Sequence, residues 1–183
     1  MKGIVFTEFL ELVEAKFGYK MVDHIIEDSQ LSNGGAYTGV GTYPHSDMVA
    51  LLTNLSARTT IPTADLLKLY GHHLFGIFAQ SYGHFFQGIE HAFGLLEHIE
   101  NYIHVEVRKL YPDAELPRFE TRRLAANTLE MVYHSERRMA DFAEGLIEAT
   151  LEHFNEPAII TREKLSVDGS TVRFTIEKQT MGL

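Results

Sequence analysis

The stretch Tyr133-His134-Ser135-Glu136-Arg137 decides how this chain reads. If Tyr133 ends a strand, side chains two apart share a face, and Tyr133, Ser135 and Arg137 present a phenol, a hydroxyl and a guanidinium on one side. Such a donor set suits a carboxylate or a phosphate. Upstream, Leu129, Met131 and Tyr133 alternate with Glu130 and Val132, which is strand periodicity. Downstream, Met139, Phe142, Ala143, Leu146, Ile147 and Leu151 form a stripe that predicts a helix over 138–154, ended by Pro157. The five residues then fall at a strand-to-helix junction, where the first amides of the helix also point at whatever the side chains hold. The competing reading makes Ser135 an ordinary N-cap and Arg137 a solvated charge.

Working outward, 158–166 and 171–178 read as strands, with Asp168-Gly169 as the turn of a hairpin. The earlier chain is helical. Val5, Phe9, Leu12, Val13 and Phe17 recur at helical spacing, Gly18 stops them, and a short helix follows over 20–29. Ser46 and Thr63 read as N-caps of two further helices. The second, over 63–80, is apolar on more than one side, with Leu66, Leu67, Tyr70, Leu74, Phe75 and Phe78 among its residues. Such a helix lies between layers or lines a ligand cavity. A short helix is expected over 84–89 and one long helix over 91–109, after which Pro112 and Pro117 bound an irregular loop. Helices first, then a small antiparallel sheet with one helix, make the fold class α+β.

The chain has 183 residues, enough for one domain that buries roughly 70% of its unfolded surface. Sixteen basic against 25 acidic residues leave a net charge of −9, which disfavours nucleic acid and anionic membrane surfaces as partners. There is no cysteine, which removes disulfides, thiolate nucleophiles and iron–sulfur clusters. No apolar run approaches the ~20 residues of a membrane span, and the N-terminus turns acidic too early for a secretory signal, so a cytoplasmic protein is expected. No Gly-rich phosphate loop, nucleophile elbow or His-Glu-x-x-His occurs, and an enzymatic reading has no support.

His104 sits near the end of the long predicted helix among Ile103, Val105 and Val107. A lone histidine in an apolar stretch is most often a satisfied core residue. Neutral imidazole is also a common ligand of haem iron, and one suffices, whereas zinc needs three or four ligands together. His84, His91 and His98 recur every seven residues, but two helical turns span about 10 Å, too far for a single ion. They read as exposed side chains.

His104 followed about thirty residues later by Tyr133-x-Ser135-x-Arg137 resembles the haem nitric oxide/oxygen-binding (H-NOX) domains, relatives of the sensor domain of soluble guanylate cyclase. Met1-Lys2-Gly3 with Val5 and Phe9 is similar to that family's N-terminal helix, 104–117 to its proximal segment, and Gly145-Leu146-Ile147-Glu148 continues the match. The resemblance implies a single haem-binding domain over 1–183, with a distal helical lobe over 1–60 and a proximal lobe over 61–183 that holds the long helix, the sheet and a C-terminal helix. It implies b-type haem, with His104 as the axial iron ligand and Tyr133, Ser135 and Arg137 on the propionates. Pro117, Phe78 and Leu146 would contact the macrocycle.

Oxygen-binding members of the family carry a tyrosine one turn into the helix after the signature, where this chain has Phe142; Phe9 and Leu74 stand where its polar partners would be, and Val5 completes the distal set. Stable dioxygen binding calls for a distal hydrogen-bond donor, whereas nitric oxide and carbon monoxide need one much less. The resemblance therefore implies a nitric oxide sensor that also takes carbon monoxide. Without an effector domain, it implies a stand-alone bacterial sensor whose partner is a histidine kinase or a cyclic-di-GMP synthase or phosphodiesterase. The alternatives are a haem carrier or store and a metal-dependent enzyme built on the histidine-rich middle.

Overall fold

Apolar residues at helical spacing build the first half of the chain, in a computed structural model that describes residues 1–179. Helix α1 (Gly3–Phe17) buries Phe6, Phe9, Leu12 and Val13, and Gly18, at φ 83°, turns the chain into α2 (Tyr19–Ser29). Helices α3 (His45–Thr59) and α4 (Thr63–Ser81) close over them with Met48, Leu51, Leu55, Leu66, Tyr70 and Leu74. Ser46 and Thr63 do not cap these helices. Pro44 and Pro62 stand at the caps instead, and their carbonyls accept the first helical N–H groups, from Asp47 and Asp65. A proline donates no N–H and is held near φ −60°, so it serves at a helix start without a side-chain cap.

The long middle helix is not regular. It runs as α5 (Ala92–His98), one π turn (Ile99–Ile103) and α6 (His104–Leu110). A π turn inserts an extra residue into the ladder and is found preferentially at functional sites; here it ends at the residue before His104. The helix expected over 84–89 is a 3₁₀ turn, Gly83–Phe86, closed off by Gly88 at φ 78°.

Four antiparallel strands follow in the order β1-β2-β4-β3: β1 (Arg118–Ala125), β2 (Thr128–His134), β3 (Ala158–Lys164) and β4 (Thr171–Lys178). Leu129, Met131 and Tyr133 of β2 and Val172, Phe174 and Ile176 of β4 share one face. Helix α7 (Ala140–His153) packs on that face with Ala143, Ile147 and Leu151, joined by Phe93 and Leu96 of α5. The last helix thus lies between β2 and β3, and the described chain ends after β4. Strand β1 was not foreseen: it is an edge strand, exposed along almost its whole length and rich in arginine, so no apolar alternation marks it. Helix α7 starts two residues later than 138 because Arg138 adopts a left-handed φ of 56°. Among the described residues no helix is long and apolar enough to cross a membrane.

Two contacts tie the halves together. Helices α4 and α7 touch backbone to backbone: a Cβ on Gly145 would lie 2.3 Å from the Lys68 carbonyl oxygen, and one on Gly71 2.5 Å from that of Phe142. The N-terminus is tied to the loop after α6: the Asp113 carboxylate accepts from Thr42 Oγ1 at 2.6 Å and Lys2 Nζ at 2.9 Å. Those donors, Thr42 first and then Lys2, pull the Asp113 pKa from 3.8 to about 2.

Replacing Gly145 by alanine forces α4 and α7 apart, and we expect a loss of about 1–3 kcal/mol in a denaturant titration; an unchanged midpoint would contradict the packing. A carboxyl whose folded pKa is depressed contributes stability above its unfolded pKa and loses it as pH falls through the folded one. The Asp113 clamp should therefore be intact above pH 3.8 and open only as pH falls through about 2, read as the midpoint of the Asp113 carboxyl resonance in an NMR titration.

Candidate functional site

His104 heads α6 with only 8% of its surface exposed. Its Nδ1 lies 3.2 Å from Glu100 Oε2, and the Phe119 backbone N–H donates to the same oxygen at 2.9 Å. A carboxylate oxygen only accepts, so the imidazole must donate from Nδ1 and keep a bare lone pair on Nε2. Among the described residues Nε2 makes no hydrogen bond. Burial lowers the His104 pKa, Glu100 opposes that, and Arg108 adds to it; the net shift is downward. The ring is therefore neutral at neutral pH, which is the form that ligates a metal.

The second half of the site is brought together by a turn rather than by strand alternation. Strand β2 ends at His134. Ser135 then starts a tight turn: its Oγ accepts from the Arg137 N–H at 3.2 Å, and its carbonyl accepts from the Arg138 N–H at 3.2 Å. Ser135 thus lies ahead of α7 and does not cap it. The Met139 N–H, expected to face a ligand, instead donates to the buried Tyr133 hydroxyl at 3.0 Å. Burial raises the Tyr133 pKa, with Ser135, Met139 and Arg137 pulling the other way, so the side chain stays a phenol.

Arg137 is not a free solvated charge. Its guanidinium donates to the Glu115 carbonyl at 2.6 Å and to Glu115 Oε2 at 2.9 Å. The Glu115 side chain is 88% exposed, so its carboxylate meets the guanidinium from the outside, through one N–H, while the other N–H is taken by the Glu115 carbonyl. Phe119 links the two halves, its ring 6.0 Å from that of His104 and 5.7 Å from that of Tyr133. Sequence reading missed Phe119 and Glu100, the first because β1 shows no strand pattern; the second could have been found, since Glu100 and His104 stand at the ordinary helical i,i+4 spacing.

The apolar candidates fall into neighbouring clusters. Phe9 and Leu74 are buried in the N-terminal core, with Val5, Phe78 and Phe142 packed against it. Leu146 joins Phe75, Leu95, Ala149 and Ile103, the last adjacent to His104. Pro117 is half-buried just ahead of β1. Tyr70 was read only as an apolar helix residue, but its ring lies 5.0 Å from that of Phe142 and its hydroxyl donates to the Val5 carbonyl at 2.5 Å.

The histidine-rich middle holds no metal cluster: among the described residues no three His, Cys, Asp or Glu side chains converge on a common point. His84, His91 and His98 are exposed. A cleft of about 730 Å³ is lined by His91, His98, Arg123, Glu156 and Lys178 beside the Phe93 ring. Its charges are already engaged, Lys178 with Glu156, Arg123 with Glu97, and Glu156 also with the Ala92 N–H. Neither His104 nor the 133–137 turn lines it.

A buried neutral imidazole with one bare nitrogen, a tyrosine–serine–arginine set with a carboxylate at its guanidinium, and apolar surfaces on α1, α4 and α7 suit one kind of cofactor. It is flat and largely apolar, carries a metal, and ends in acid tails. Haem has these parts.

Comparison with known proteins agrees. The model of the haem-NO-binding family matches residues 2–162. Among solved structures, the Fe(II) unliganded H-NOX protein from K. algicida is 49% identical, covers 100% of both chains and superposes with a TM-score of 0.94. The H-NOX from Shewanella woodyi is 38% identical, covers 100% of this chain and 97% of its own, and gives 0.84. That from S. oneidensis in the Fe(II)NO state is 26% identical, covers 98% and 100%, and gives 0.90. No curated protein matches in a sequence search. With a family match over residues 2–162, relatives of up to half identical sequence along the whole chain and the α+β frame they share, the chain belongs to the haem-NO-binding (H-NOX) family of haem gas sensors, and its cofactor is haem.

Proposed function

We propose that this chain senses nitric oxide through ferrous b-type haem and passes the signal to a separate protein. Ferrous haem would supply an iron atom that binds a diatomic gas. His104 would hold that iron through Nε2. Tyr133, Ser135 and Arg137 would bind the propionates, Arg137 with the guanidinium that now donates to Glu115. Pro117, Phe78 and Leu146 would contact the macrocycle. We assign residues 1–60 to the lobe over the distal face and 61–183 to the proximal lobe, 180–183 lying outside the described residues; α4 packs into the N-terminal core.

The observation that carries the choice of gas is the commitment of the Tyr70 hydroxyl. Among Phe9, Leu74, Phe142 and Tyr70, only Tyr70 has a hydrogen-bond donor, and that donor is spent on the Val5 carbonyl. Val5, Phe9, Leu74 and Phe142 then present an apolar distal wall, which disfavours stable dioxygen binding and leaves nitric oxide and carbon monoxide as ligands. The solved relatives in Fe(II)NO and Fe(II)CO states are in keeping with those two gases.

The output follows from the joints in the fold. His104 begins α6, and the loop after α6 carries Asp113, which is held by Lys2 and Thr42 from the N-terminal lobe. A change in how His104 is held thus shifts the population between two arrangements of the lobes, which a partner reads. By analogy with bacterial members of the family, the partner is a histidine kinase or a cyclic-di-GMP synthase or phosphodiesterase. Cytoplasmic location goes with such a partner.

Reduced protein should show the spectrum of five-coordinate ferrous haem, keep it in air, and change on adding nitric oxide. A stable new species in air would contradict the distal reading. Changing Phe142 to Tyr adds a donor beside Tyr70 and should slow dioxygen release about tenfold, the effect of one hydrogen bond of roughly 1.4 kcal/mol; stopped-flow mixing with oxygenated buffer measures it, and identical traces would place Phe142 outside the distal wall.

A further inference from the structure

We propose that Glu100 is the positioning residue for His104, and that its carboxylate sets how firmly the histidine holds the haem iron. The inference rests on the reading of His104 as the axial ligand and concerns what tunes it.

Three observations converge on this side chain. Glu100, on the π turn Ile99–Ile103, stands four residues before His104, and its carboxylate lies 3.2 Å from Nδ1. The same oxygen is fixed from the other side by the Phe119 N–H at 2.9 Å, so the carboxylate cannot swing away without leaving a strand amide unpaired. The cluster is half-enclosed, with the His104 side chain 11% and the Glu100 side chain 29% exposed, and the nearest cation, Arg108, stands 3.9 Å from the other Glu100 oxygen. In so sheltered a place a full negative charge on Nδ1–H acts strongly on the ring.

The chemistry follows from the carboxylate–histidine–metal arrangement. A carboxylate accepting from Nδ1–H fixes the tautomer, orients the ring and pushes electron density toward Nε2, which makes that nitrogen a stronger donor. Glu100 therefore opposes release of His104 when a gas binds on the far side. It also couples any movement of His104 to β1, because the Phe119 N–H shares the oxygen and the Phe119 ring reaches Tyr133. The strength of the iron–histidine bond and the readout of its loss run through one side chain.

Glu100→Gln tests this, since the amide oxygen still accepts from both donors but carries no charge. In the haem-loaded, reduced protein the iron–histidine stretching band in the resonance Raman spectrum should move to lower frequency. The haem reduction potential should rise, and loss of the histidine bond after mixing with nitric oxide should quicken by roughly tenfold. In the apoprotein, ¹⁵N–¹H spectra should show His104 protonated on Nδ1 in the parent and in Glu100→Gln, but as a mixture of tautomers in Glu100→Ala. If Glu100→Gln does not fold, Glu100→Asp reads the same band, which a shorter, more distant carboxylate should also lower. A parent that shows the band and a variant whose band, potential and nitric oxide kinetics are unchanged would overturn the role of Glu100 alone. A parent that takes up no haem, or shows no iron–histidine band, would overturn the ligand reading and this inference with it.

Discussion

A histidine is buried at the head of α6, and it can be buried because its Nδ1–H has a carboxylate to donate to. An uncompensated polar group in that position costs of the order of 1–3 kcal/mol. Glu100 removes that penalty on one nitrogen and leaves Nε2 bare, while burial keeps the ring neutral. A neutral imidazole whose Nε2 makes no hydrogen bond among the described residues is chemically able to receive a metal, which is the role proposed for it. The π turn ends at the residue before it, β1 anchors the carboxylate through Phe119, and the loop from α6 to β1 carries Pro117 and the clamp at Asp113.

Rigidity and mobility are divided between different contacts. The α4–α7 approach is backbone on backbone, made possible by Gly71 and Gly145, and leaves no room for even a methyl group at the crossing. It is flanked by Lys68 with Glu144 and Glu148 and by His72 with Glu148. By contrast, the N-terminus meets the α6–β1 loop through the polar contacts of Lys2 and Thr42 with an exposed Asp113, which can rearrange at little cost. Under the proposed function, a signal that begins at His104 meets a stiff joint along α7 and a soft one at Asp113.

Much of this was legible in the sequence, for physical reasons that differ by element. Strands β2 and β4 bury alternate residues, so Leu129, Met131 and Tyr133 announced the sheet, and the stripe from Phe142 to Leu151 announced α7. Strand β1 was illegible because an edge strand with both faces largely in water needs no pattern. Ser46 and Thr63 misled because prolines one or two places earlier already supplied the helix starts. Tyr133, Ser135 and Arg137 do not share the strand face that their spacing suggests: β2 ends at His134 and a turn built on Ser135 follows, with Arg138 in a left-handed conformation, and local turn chemistry of that kind has no period to detect. Tyr70 became visible only once its partner was known, since it matters through a single hydrogen bond, whereas Glu100 stands at a legible i,i+4 spacing from His104.

The central claim, that His104 Nε2 is the atom that holds the cofactor, is tested most directly by cutting the side chain away and giving it back. Reduced His104→Gly should lack the iron–histidine band in its resonance Raman spectrum and regain it when free imidazole is added to the buffer. A His104→Gly protein whose band is the same as the parent's before any imidazole is added would show that another residue ligates the iron, and the account given of this site would fail.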